Sequence, residues 1–157
     1  MGLARLGRTL RARGRKVWVI SLTEKGAVGH RVGIDLFGGT RLLEAKELWQ
    51  GEQLPDPEKL GFKAGEGVII LVPRSWVLLK QLSFPQLKPE QLAAVVPFEL
   101  EEALPKTGEV YSAWQQIPKT QGTGAIAFAV ASRTLAPVLE LFQGAGLNLW
   151  GIAPNSW

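Results

Sequence analysis

KPEQLAAVVPFELEEAL, residues 88–104, is the stretch on which the fold turns. Pro89 suits the first turn of a helix, where a missing N–H donor costs nothing. At roughly 100° per residue, Leu92, Val96, Leu100 and Ala103 share one stripe, with Leu104 at its edge. That stripe predicts a helix resting on a core. Gln91, Ala94, Phe98, Glu101 and Glu102 fall on the far side, and Glu99 lies near the boundary. Pro97 sits inside the segment and removes the hydrogen bond to the Ala93 carbonyl, which leaves two alternatives open: a kink that shifts the later register, or a register that holds and keeps Phe98 with the acids.

On either side of this helix the pattern changes to strands. KVWVISL (16–22) alternates, TEKGAVG (23–29) reads as a turn, and HRVGIDLFGGTRLLEAKELW (30–49) gives one or two further strands broken at FGG. Residues 50–66 read as a connecting loop. GVIILVP (67–73) is a continuous apolar run, as in a strand covered on both faces. Then come strands over 75–84, 109–117 and 124–132, a helix over 134–146 and a last strand over 147–153. Thr134 as cap would put Pro137 in the first turn of that helix, with Gly144 or Gly146 closing it. The order β-α-β-β-α-β after several strands predicts an α+β fold with two helices packed on one face of a sheet. Three regions are expected: a disordered basic arm over 1–15, a β-rich lobe over 16–73 and a β-α-β-β-α-β subdomain over 74–157.

The 157 residues suffice for one domain or two small lobes. There is no cysteine, so disulfides, thiol nucleophiles and Cys-ligated metals are excluded. His30 is the single histidine and has no carboxylate cluster beside it in the sequence, so neither a zinc site nor a triad is expected. No P-loop is present. GTGAIA (122–127) has a dinucleotide-loop outline but opens a strand rather than a helix. Ser21, Ser75 and Ser132 lie in no nucleophile-elbow context. Six tryptophans (18, 49, 76, 114, 150 and 157) read as core or interface residues. No metal and no cofactor is expected.

The net charge is +4, yet Arg5, Arg8, Arg11, Arg13, Arg15 and Lys16 occupy the first sixteen residues with no acid among them. Setting those six aside from 18 basic residues leaves 12 against 14 acidic ones, so the body is slightly acidic. The arm admits three readings: a plain tail, a contact for anionic lipid, or a start-site artefact. No apolar segment follows the arginines as a secretory signal would require.

The outer face of the 88–104 helix also admits several readings. It is a solvated surface with Phe98 folded under a neighbour, or a docking site in which an aromatic is ringed by glutamates. Paired carboxylates for acid–base work would need a cleft, which a convex helix face does not offer.

VIILVPRSWVLLKQLSFPQ (68–86), LAAVVPFELEEALP (92–105) and AIAFAVASRTLAPVLELFQGAGLNLWGIAPNSW (125–157) together resemble the cytoplasmic domain of type II secretion system protein L and the related type IV pilus protein PilM. The resemblance covers about 67–157. It implies actin-like (ribonuclease H-like) ancestry, with a mixed sheet and an inserted β-α-β-β-α-β subdomain. It further implies a non-enzymatic scaffold on the cytoplasmic face of the inner membrane that docks the secretion or pilus assembly ATPase. Other platform proteins are expected as further partners, and a homodimer stays open. The docking residues would be Phe98, Glu99, Glu101 and Glu102.

The sequence departs from PilM-like nucleotide binders. Their first hairpin carries Asp-x-Gly, whereas VISLTEKGAV has Ser21 in place of that Asp, and GIDLFGGTR keeps Asp35 but inserts Phe37 before Gly38. A nucleotide-binding adaptor that holds a partner's N-terminal peptide would use Asp35, Gly38, Gly39 and Thr40. The chain is expected to stop before a second lobe, a membrane helix and a periplasmic domain. A third reading, nucleic-acid binding, would rest on the basic arm, Arg5 to Lys16.

Overall fold

A computed structural model describes residues 15–35, 37–103 and 109–155. Arg5, Arg8, Arg11, Arg13 and Leu104 lie outside them. The strands are β1 (Lys16–Thr23), β2 (Gly26–Ile34), β3 (Thr40–Gln50), β4 (Gly67–Val72), β5 (Val77–Phe84), β6 (Val110–Ile117), β7 (Thr123–Ala131) and β8 (Asn148–Pro154). The helices are α1 (Pro89–Ala103) and α2 (Ser132–Gly144). They form a mixed α+β fold with a five-stranded sheet, β3-β2-β1-β4-β8, and a three-stranded sheet, β5-β7-β6.

In the larger sheet β1, β2 and β3 are joined antiparallel, while β4 runs parallel to β1 and β8 parallel to β4. The alternation read in β1 places Trp18, Ile20 and Leu22 inside, and Val68, Ile70 and Val72 continue that surface on β4. Phe142 of α2 lies 6.1 Å from Trp49 and 6.3 Å from Phe62, which meets Trp18 edge-on at 5.0 Å. The turn expected over 23–29 is limited to Glu24 and Lys25, because strand pairing resumes at Gly26.

In the smaller sheet every pairing is antiparallel. Leu92, Val96 and Leu100 of α1 are buried in one cluster with Leu82 and with Ala125, Ala127 and Ala129 of β7. A row of small side chains on the central strand lets the helix approach the sheet closely, and the larger leucines fill the space above it. The expected stripe of α1 is therefore its buried face, and Pro97 lies within an unbroken helix.

Two expectations need correction. The last strand does not join a 74–157 subdomain. The chain divides into residues 75–135 and a second unit combining 15–74 with 136–155, because β8 pairs with β4. The apolar run of β4 needs a neighbour on each edge, and β1 supplies only one. The second helix begins at Ser132 rather than beyond Thr134, so Pro137 is an interior residue and not a first-turn one.

Candidate functional site

The outer face of α1 is where the sequence concentrates its candidate residues. Phe98 is 59% exposed, and Glu101 and Glu102 are exposed beside it at the i+3 and i+4 positions. Glu99 differs from them. Its carboxylate lies 3.7 Å from the Lys80 ammonium on β5, with both side chains about one-third exposed. The structure thus brings Phe98, Glu101 and Glu102 together and turns Glu99 toward β5. An aromatic held in water beside two exposed acids on a convex helix is suited to contact, not to acid–base chemistry, which needs a water-excluding cleft.

The nucleotide candidates lie on the β2–β3 hairpin. Asp35 Oδ1 accepts from the backbone N–H groups of Phe37 (2.8 Å) and Gly39 (2.7 Å). Gly38 N–H donates to the Asp35 carbonyl at 3.3 Å. Asp35 therefore closes an Asx-type turn on itself and occupies backbone donors that a phosphate would use. Thr40 begins β3 and is exposed. At the other hairpin, where Ser21 precedes the turn, an open cavity of about 580 Å³ is lined by Thr23, Lys25, Glu47, Trp49 and Glu52 among others. Two carboxylates against one ammonium make a poor host for an anion. Of the basic arm, Arg15 and Lys16 are described, and both are exposed at the start of β1.

A constellation that sequence reasoning missed surrounds Trp18. Glu66 pairs with Arg31 and accepts from the Trp18 indole Nε1–H at 2.9 Å and the Lys63 N–H at 3.2 Å. Burial pushes the Glu66 carboxyl up. The hydrogen bonds from Trp18 and Lys63, with the Arg31 guanidinium, outweigh this and hold it below the ordinary carboxylate value. Lys46 Nζ sits 4.9 Å from the Trp18 ring and 4.7 Å from the Phe62 ring, and donates to the Leu60 carbonyl at 2.8 Å. These contacts fasten the 51–66 connection to the sheet. Only the inward phase of Trp18 in β1 was available to signal them. Among the described residues no group of three His, Asp or Glu side chains is placed to hold a metal ion. No described helix is long and apolar enough to cross a membrane.

No family model and no curated protein sequence matches the chain. Solved structures do match in fold. The cytoplasmic domain of EpsL, an inner membrane component of the type II secretion system of Vibrio cholerae, superposes with a TM-score of 0.61 at 16% identity, over 88% of this chain and 57% of that one. A PilM–PilN type IV pilus biogenesis complex matches with a TM-score of 0.64 at 15% identity, over 88% of this chain and 47% of that one. The chain thus spans about half the length of the structures it matches. Both belong to the families that the sequence resembles, and at these identities the likeness is one of fold.

Proposed function

We propose that this chain is a non-enzymatic cytoplasmic scaffold of an inner-membrane assembly platform, of actin-like ancestry, serving type II secretion or type IV pilus assembly. In this reading α1 docks the assembly ATPase. The observation that carries it is the exposure of Phe98 beside Glu101 and Glu102 on one helix face, in a fold shared with EpsL and PilM. A solvent-exposed aromatic gains about 1.5–3 kcal/mol when a partner buries it. Glu101 and Glu102 would steer a basic partner surface and set its register. The nucleotide-adaptor reading gains no support from the hairpin, since Asp35 is committed to its own turn.

Calorimetric titration of the chain with the purified secretion and pilus ATPases of the same host tests the reading. Saturable binding by the parent, weakened at least tenfold in a Phe98→Ala, Glu101→Lys, Glu102→Lys variant of unchanged melting temperature, is the expected result. Binding that the variant retains would return α1 to a solvated surface. The absence of binding to either ATPase would leave only the fold likeness.

A further inference from the structure

We infer that the tip of the β2–β3 hairpin, with the basic residues beside it, is a contact for an anionic lipid bilayer. Phe37 is 97% exposed at this tip, and Leu42 and Leu43 on the ascending strand are 59% and 41% exposed. The exposure is built in. The Asp35 carboxylate holds the Phe37 and Gly39 N–H groups, and the Asp35 N–H donates to the Gly39 carbonyl at 2.9 Å. Leu42 lies opposite Val32, while Leu43 covers Gly33, the next residue of β2. The two leucines therefore flank the ribbon on opposite faces. A protein groove covers one face of a ribbon, whereas the headgroup layer of a bilayer surrounds an inserted tip.

The surrounding charge fits the same host. Lys16, Gly33 and Arg41 form one transverse row across β1, β2 and β3, and the Arg15 carbonyl accepts from the Ile34 N–H at 3.0 Å. Arg15, Lys16 and Arg41 are all exposed. Asp35 at the tip turns its carboxylate onto the Phe37 and Gly39 N–H groups, and its one negative charge is outnumbered by Arg15, Lys16 and Arg41. Apolar residues that enter the interface and cations that hold anionic headgroups are the two signals stable membrane association requires. Duplex nucleic acid would use the cations and leave three apolar side chains in water. The inference draws on residues other than those of α1, so it and the ATPase reading can fail separately.

The test is co-sedimentation of the full chain with vesicles of phosphatidylcholine alone and of phosphatidylcholine with 30% phosphatidylglycerol. Partitioning onto the mixed vesicles alone is expected, lowered at least fivefold by Phe37→Ser and by a Lys16→Glu, Arg41→Glu pair. Because the chain has no cysteine, Phe37→Cys gives a unique labelling site. A nitrobenzoxadiazole label there should brighten and shift to the blue on mixed vesicles, while one at Glu101→Cys should not. Vesicle binding without a response at position 37 would sink the insertion, as would no binding at all. A response at 37 to duplex DNA and not to vesicles would assign the tip to nucleic acid instead.

Discussion

The indole N–H of Trp18 donates to the Glu66 carboxylate across 2.9 Å, joining β1 to a residue 48 positions away. The same carboxylate holds Arg31 of β2 and the Lys63 N–H. One acid thus pins a long connection to two strands. Glu66 is therefore expected to make stability depend on pH. Its folded pKa lies below the ordinary 4.5, so its contribution is complete above that value. It is lost as pH falls through the lower folded value. Denaturant midpoints measured from pH 7 to pH 3 should fall in the parent, and the gap to a Glu66→Gln variant should narrow in the acid limb. A constant gap would show that the charge of Glu66 is not what the network uses.

Removing one partner of this network should cost more than removing two. Glu66→Ala strands Arg31, whose Nε is already buried without a hydrogen-bond partner among the described residues, and leaves the Trp18 donor unsatisfied. A loss of about 2 kcal/mol is expected by urea unfolding. Glu66→Leu combined with Arg31→Met removes both charges and should recover at least half of it. Additive losses in the double variant would argue that the two side chains act independently.

The register of α1 can be tested by paired truncations. Leu100 is 1% exposed against β7 and Phe98 is 59% exposed, two residues apart on opposite sides of the helix. Leu100→Ala should cost about 2–4 kcal/mol through lost burial and the cavity left behind. Phe98→Ala should change stability by less than about 0.5 kcal/mol. Equal losses in thermal unfolding would mean that Phe98 is packed under a neighbour.

The contrast between those two residues was legible in the sequence, because a 3.6-residue period is local and the helix stripe needs only itself to be seen. The strand alternation around Trp18 and Ile20 was legible for the same reason. The placement of β8 was not. LNLWGIA reads as a strand beside any sheet, and its pairing with β4 is a contact across some eighty residues that no local pattern encodes. The Trp18–Glu66 bond escaped on the same ground: Glu66 sits in a Gly-rich, charged stretch that reads as loop. Asp35 illustrates the opposite case. The resemblance to PilM-like nucleotide binders offered it, with Gly38 and Gly39, as part of a nucleotide hairpin, while a short carboxylate before two glycines serves an Asx turn equally well.

Gly67 opens β4 and faces Trp150 of β8 so closely that a Cβ built on it would lie 2.1 Å from Trp150 Cε2 and 2.5 Å from Cζ2. The indole therefore lies flat over bare backbone, and no methyl fits unless the ring leaves. Backbone flexibility is not the issue here, since Gly67 has no positive φ. Gly67→Ala is expected to lower stability by about 1–3 kcal/mol through forced displacement of the ring. The sign of steric origin is rescue. Trp150→Ala vacates the space, so adding Gly67→Ala to that variant should cost less than about 0.5 kcal/mol. Measured by urea unfolding of all four proteins, an equal cost of Gly67→Ala in both backgrounds would show that the glycine is needed for something other than the indole.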